Sequence, residues 1–228
     1  MKFRIFRLPY YVTVLFKLIK NISVDKLLSL LFRKTYVLRD GSYSFCFGPW
    51  TDLLELKEVL LDHEYETKNV HVTKADRITV DIGAGFGDFS IDIAKRNKNI
   101  LVVSYEPDHK RIKLFIKNVS KNSVNNIVLR QEPAFSLQQI FGEIRSQSID
   151  FLKIDCEGCE FRILNSTCIP YLKRVKKIAL EYHTPDEKRV QKLLQIFKKA
   201  GFIYELVPQK NVPGIGHLFA WRKTSLRQ

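Results

Sequence analysis

Val80-Asp81-Ile82-Gly83-Ala84-Gly85-Phe86-Gly87-Asp88 is the stretch whose reading decides the fold. The apolar run Ile78 to Ile82 has the length of a buried strand. Gly83, Gly85 and Gly87 let the backbone turn tightly, and Phe89 to Arg96 has helical spacing. A strand, a glycine turn and a helix in that order bring backbone amides close to a ligand.

Working outward, apolar runs alternate with helical stretches. The strand-like runs are Ile78 to Ile82, Ile100 to Tyr105, Ile127 to Leu129, Ile149 to Ile154, Val175 to Tyr182 and Phe202 to Val207. Between them the spacing predicts helices over Gly87 to Asn97, Asp108 to Asn122, Phe135 to Ile144, Glu160 to Ser166 and Asp186 to Ala200, with an earlier one over Thr51 to His63. Such alternation predicts a parallel, doubly wound α/β sheet. Pro213-Gly214-Ile215-Gly216 makes a turn, and His217 to Arg222 supplies a seventh strand with no helix before it. Two consecutive strands without a crossover helix must be antiparallel, so the sheet is Rossmann-like, mostly parallel, with an antiparallel C-terminal strand.

The chain has 228 residues and 45% hydrophobic content, enough for one substantial core. Its net charge of +14 is uneven: residues 1 to 40 hold nine Lys or Arg against Asp25 and Asp40, half of the total. We therefore divide the chain into a basic amphipathic extension, residues 1–45, and a catalytic domain, residues 46–228. The longest uncharged run in the extension, Leu8 to Phe16, is far short of a bilayer span of about 20 residues, and no cleavage site of a signal peptide follows it. Two amphipathic stretches, Val12 to Ile22 and Val24 to Phe32, suit packing on the domain or oligomerisation, contact with a membrane surface, or contact with a polyanion. Cys46, Cys156, Cys159 and Cys168 are too few for a disulfide framework. Cytoplasmic placement and a packing role for the Cys156-Cys159 pair are the expectations.

The glycine spacing bears on the ligand. A dinucleotide fingerprint beginning at Gly83 needs its third glycine at position 88, where Asp88 stands. The pattern D-x-G-x-G-x-G instead resembles the loop of class I methyltransferases, which bind S-adenosylmethionine. Glu106, at the end of the next apolar run, stands where doubly wound folds place an acid against ribose hydroxyls. A second dense stretch, Leu152-Lys153-Ile154-Asp155-Cys156-Glu157-Gly158-Cys159-Glu160, ends another strand, and with Glu181-Tyr182-His183 it narrows the resemblance to the FkbM-type methyltransferase family over roughly residues 50 to 222. Cys159 departs from the alanine common there, a small-for-small change. The resemblance implies a cofactor-binding set of Asp81, Gly83, Gly85, Phe86, Gly87, Glu106, Ala134 and Asp155.

It also implies methyl transfer to a hydroxyl oxygen. That reaction needs alignment of a weak nucleophile and a group that takes its proton. Asp155 is the first candidate, His183 the second, with Glu181 and Lys153 beside them; by period two Lys153 shares a face with Asp155 and is expected to pair with a carboxylate. Asp155 alternatively caps the next helix or holds the cofactor's amino acid portion. Asp155, Glu181 and His183 have the chemistry to hold a divalent metal, but the spacing does not demand one, and a metal-free site is the expectation. The acceptor is read as a small molecule, a glycan or a lipid-linked hydroxyl. RNA is the alternative, on the basic extension and on Lys173, Arg174, Lys176, Lys177, Lys198 and Lys199. A non-catalytic module that keeps the fold is the third reading.

Overall fold

The computed structural model describes residues 16–17, 20–22, 34–38, 41–209 and 212–223. A small antiparallel hairpin, β1 (Thr35–Val37) and β2 (Ser44–Cys46), precedes α1 (Asp52–Leu60). The alternating core then runs β3 (Ile78–Ile82), α2 (Asp88–Arg96), β4 (Leu101–Tyr105), α3 (His109–Asn122), β5 (Ile127–Arg130), α4 (Leu137–Ile144) and β6 (Ile149–Ile154). Two short helices, α5 (Glu160–Ile163) and α6 (Ile169–Leu172), lead to β7 (Val175–His183). After them come α7 (Glu187–Lys199), β8 (Ile203–Pro208) and β9 (Ile215–Trp221).

The seven strands from β3 onward form one sheet in the order β5-β4-β3-β6-β7-β9-β8. β3 to β7 are parallel, and β9 lies antiparallel between β7 and β8. The expected architecture is therefore present, and the C-terminal hairpin has the predicted sense. Several helix starts differ by one or two residues, because Asp108 and Asp186, expected to begin their helices, cap them instead, and Ser136, next to the expected start Phe135, does the same. The Asp108 carboxylate accepts from the Lys110 and Arg111 amides, Ser136 from Gln139 and Asp186 from Lys188. The helix expected over Glu160 to Ser166 stops at Ile163 and resumes as α6.

Alternation along the strands divides the core between the two faces of the sheet. Leu152 and Ile154 of β6 join Val80, Ile82, Leu180 and Leu218 against α4 and α7. Phe151 faces the other way, with Ala179 and Phe219, against Leu53 and Leu56 of α1 and Ile91 of α2. Lys153 shares the face of Phe151, as period two requires.

The expected amphipathic stretches of the extension lie almost wholly outside the described residues. What is described supports packing: Ile22 is buried in the cluster that contains Leu56, and Lys17 reaches Asp62 at 3.3 Å. The hairpin at the proposed domain boundary was not foreseen, since its strands are three residues each. β2 is fastened by Asn118, whose amide oxygen accepts from Cys46 N at 2.7 Å while its Nδ2 donates to the carbonyls of Cys46 and Phe86, both at 2.9 Å. Asn118 is fully buried. Asn118→Ala leaves these backbone groups unpaired and is expected to cost about 2–4 kcal/mol, read as a lowered urea midpoint at unchanged m.

Candidate active site

The chain moves outward from β3 through β4 to β5, then returns to place β6 on the other side of β3. At such a switch point the loops leaving β3 and β6 diverge and open a crevice at the carboxyl ends of the strands. The backbones are close there. Asp155 N donates to Ile82 O at 3.0 Å, and a Cβ on Gly83 would stand 1.7 Å from Asp155 O, so no other residue fits at position 83. Gly83, Gly85 and Gly87 all have positive φ.

A cavity of about 1690 Å³ lies over this end of the sheet. It exceeds the roughly 300–1,000 Å³ of a usual small-molecule pocket, so it has room for a donor and an acceptor together. Gly83, Ala84, Gly85, Glu106 and Ala134 line one part; Asp155, Glu181 and His183 line another. Asp81, Phe86 and Gly87 of the expected cofactor set do not line it. Asp81 is wholly buried beneath the loop. Phe86 packs edge-on against Phe45, and a Cβ on Gly87 would press on the Phe115 ring at 3.0 Å. These three shape the loop from behind.

Glu106 suits a vicinal diol. Its Oε2 accepts from Gly85 N at 2.8 Å and its Oε1 from Asp108 N at 2.7 Å, which fixes the carboxylate and leaves each oxygen a lone pair for a hydroxyl. Burial raises its pKa while those two amides lower it. Together with the glycine backbone, this donor set fits the ribose of an adenosyl cofactor.

Lys153 pairs with a carboxylate, as expected, and that carboxylate is Asp81. Its ammonium is 3.1 Å from Asp81 Oδ1 and 3.0 Å from Gly83 O, beneath the Tyr65 ring. Burial would lower its pKa, but Asp81, Asp155 and Asp88 outweigh this and raise it, so the group stays charged. Through that pair it ties the cofactor loop to β6, while also lining the cavity beside Asp155.

Asp155, Glu181 and His183 do converge. His183 Nε2 is 3.9 Å from Asp155 Oδ1, 3.9 Å from Glu181 Oε1 and 3.6 Å from Glu157 Oε2. Three further groups enter that sequence reading missed. Tyr65 donates to Asp155 Oδ2 at 2.6 Å from a loop without periodicity, so nothing in its neighbours marked it. Buried Glu160 joins the two strand ends, accepting from Gly158 N at 2.8 Å and His183 N at 2.7 Å. His217, given no role before, faces Glu64 and Glu181 from β9, with which β7 pairs Glu181↔His217. Across the turn Cys156 and Cys159 are joined as a disulfide, where simple packing was expected; the turn brings their Cα atoms to 5.5 Å, within bonding range. Glu157 in that turn has φ 54°, a strained value for a side chain that is exposed at the cavity.

Known proteins agree with this geometry. The methyltransferase FkbM domain matches residues 118–204, and the TRM5/TYW2 methyltransferase domain matches residues 60–141. A methyltransferase from Pyrococcus furiosus shares the fold at 12% identity and a TM-score of 0.53, over 93% of this chain and 98% of its own. An rRNA methylase from Streptococcus thermophilus does so at 13% identity and a TM-score of 0.53, over 72% and 95%. A Streptococcus mutans protein solved in complex with SAH does so at 13% and 0.50, over 72% and 96%. No curated protein matches the sequence. The chain is an S-adenosylmethionine-dependent methyltransferase with the class I fold. The FkbM match carries the second signature and the Glu181-Tyr182-His183 end of β7 on which the sequence resemblance rested.

Two measurements check the site. Glu106→Gln keeps the shape but weakens acceptance of two hydroxyls, and is expected to lower cofactor affinity about tenfold by calorimetry. The second concerns pH. Burial and the neighbouring carboxylates raise Glu64 to about 8 and Glu181 to about 7. Burial would lower His183, but Glu160, Asp155, Glu157 and Glu181 raise it to about 9. In each case the folded chain holds a proton that the unfolded chain gives up at lower pH, so stability is greatest below this window and falls as pH rises through it. The contribution of these three groups to the thermal midpoint of the ligand-free protein is expected to fall between about pH 4.5 and 9, with the fall between about pH 4.5 and 7 made shallower in Glu181→Gln.

Proposed function

We propose that the enzyme methylates a hydroxyl oxygen on a neutral, polyol-like acceptor, a small molecule, glycan or lipid-linked group, with Asp155 taking the proton. The observation that carries this reading is the meeting of Asp155, Tyr65, Glu181 and His183 in the same cavity as the Gly85–Glu106 pair. When bound, S-adenosylmethionine supplies a methyl group activated by its sulfonium. The chain must hold the hydroxyl in line and accept its proton as the oxygen attacks.

Asp155 is favoured over His183 as the base by the electrostatics. An imidazole raised to about 9 already carries a proton at neutral pH and has no lone pair free to accept another. Its charge instead steadies the carboxylates and a developing alkoxide. Tyr65 orients Asp155 through Oδ2 and leaves Oδ1 on the side of the imidazole.

The charge of the cavity supports a neutral acceptor over RNA. Glu58, Glu64, Asp155, Glu157 and Glu181 line the acceptor side, while Lys57 pairs with Asp62 at 2.5 Å and Arg111 is held by Glu55 at 2.8 Å. A phosphodiester would meet more carboxylate than cation. Of the basic residues behind the RNA alternative, those of β7 and α7 lie at the opposite end of the sheet. Lys176 and Lys177 lie near the start of β7, roughly 20–23 Å along the strand from His183. Both are engaged there, Lys176 with Asp150 and Lys177 with Asp76, each at 2.6 Å. Lys198 and Lys199 close α7, just before Ile203, which shares the partner Trp221 with Lys177.

Label from methyl-labelled cofactor is expected in hydroxyl-bearing lipid, glycan or small-molecule fractions of a cell extract, and label confined to RNA would overturn the reading. Asp155→Asn is expected to lower turnover by about 10²–10⁴-fold with cofactor affinity kept. Loss of cofactor affinity instead would assign Asp155 to the cofactor.

A further inference from the structure

We propose that Asp155, Glu181 and His183 form a divalent-cation site at the acceptor end of the cavity. One ligand atom from each residue lies within 4.8 Å of the others. His183 Nε2 is 3.9 Å from both Asp155 Oδ1 and Glu181 Oε1. Atoms bound about 2.1 Å from one ion stand roughly 3–4.2 Å apart, so the three need only small side-chain movements to share one. All three are on the ends of two adjacent strands, β6 and β7, which is a rigid mounting for a metal site.

A second observation points to the same place. The His217 ring is about 95% buried, and its Nε2 has no hydrogen-bond partner among the described residues although it stands 3.5 Å from Glu64 Oε1 and 3.9 Å from Glu181 Oε2. With Glu181 Oε1 on a cation, Oε2 becomes the fixed acceptor that this imidazole lacks, the arrangement in which an outer donor orients a ligating carboxylate. His183 Nδ1 is also unpartnered, 3.6 Å from Glu160 Oε1, so the ligating ring has a carboxylate behind it in the same way. The local charge agrees. Five carboxylates, Glu64, Asp155, Glu157, Glu160 and Glu181, surround the two imidazoles, and the buried ammonium groups of Lys153 and Lys57 are paired with Asp81 and Asp62.

The donor set is two carboxylate oxygens and one imidazole nitrogen, which the ion would bind by displacing the proton that His183 carries in the metal-free protein. No thiolate competes, because Cys156 and Cys159 are joined. Such a set suits Mn²⁺ or a cation of similar hardness, with positions left for water or an acceptor oxygen. Resting on the hydroxyl methylation proposed above, the ion would bind the acceptor oxygen and make its proton easier to remove. Asp155 would touch the ion through one oxygen and take the proton on the other.

The test needs no acceptor and no turnover, so its failure leaves the methylation reading standing. Mn²⁺ is titrated into the full chain and free ion is followed by paramagnetic resonance. Binding of one ion per chain is expected, weakened at least about tenfold by Glu181→Gln and by His183→Gln. The exposed control Glu205→Gln should leave it unchanged. In the unaltered protein, bound Mn²⁺ should broaden the ring-proton signals of His183 and His217 before those of the exposed His63, His71 and His109. Absence of saturable binding, binding indifferent to the site variants, or broadening that spares His183 would overturn the proposal.

Discussion

The buried Lys153–Asp81 pair is the contact on which the site depends. It is a salt bridge between neighbouring parallel strands, with Asp81↔Lys153 directly in register, and it is almost fully withdrawn from water. Neither charge could remain there alone. Removing one partner of such a pair strands the other and is far more costly than the pair is stabilising. The remaining valences are satisfied as well: Ser90 donates to Asp81 Oδ2 at 2.6 Å, and Lys153 donates to Gly83 O at 3.0 Å. One ammonium therefore ties the glycine loop of β3 to the strand that ends in Asp155. The two parts of the cavity are held at a fixed separation by this ion pair, of which Asp81 lies beneath the loop and Lys153 lines the cavity.

That arrangement explains what could be read in the chain and what could not. The strands from Ile78 to His183 and the amphipathic helices between them follow from local periodicity, which survives folding because each element buries one face against the sheet. The cofactor loop was legible for the same reason: left-handed glycines, an acid at the next strand end and their order are all local facts. The roles of Asp81 and Lys153 were not. Both carry charge in a ligand-binding motif, and only the register of β3 against β6 shows that they neutralise each other. Tyr65 and His217 are more remote still, 90 and 62 residues in sequence from Asp155, and they reach it through tertiary packing alone. The hairpin β1–β2 was lost because three-residue strands have no period to detect, and its attachment depends on a single asparagine of α3.

The two halves of the cavity also differ in electrostatic character. Around Gly85 and Glu106 the polar atoms are matched: the carboxylate accepts from two backbone amides and keeps capacity for two hydroxyls. Around His183 the groups are not matched. Carboxylates outnumber cations, two imidazole nitrogens have no hydrogen-bond partner among the described residues, and the pKa values of Glu64, Glu181 and His183 are all raised. A mismatch of this kind lowers stability in the ligand-free state, and folding alone gives no reason to retain it. It is better understood as capacity for a positively charged or hydroxyl-bearing occupant.

The family matches divide along the same line. Residues 60–141, matched by one methyltransferase model, contain the glycine loop, Glu106 and Ala134; residues 118–204, matched by another, contain Asp155, Glu157, Glu181 and His183. A methyl donor is the same molecule whatever the acceptor, so the part of the sheet that holds it can be shared by enzymes of different chemistry. Acceptor choice must then come from the β6 and β7 ends and from the segments above them, including Tyr65 and the loop of Val212, Pro213 and Ile215 that lines the cavity. In this chain those segments bring acids, aromatic hydroxyl and imidazole, and the lysines at the far end of β7 are engaged elsewhere. Such a surface can hydrogen-bond hydroxyls from several directions, which is the basis of the polyol acceptor proposed above.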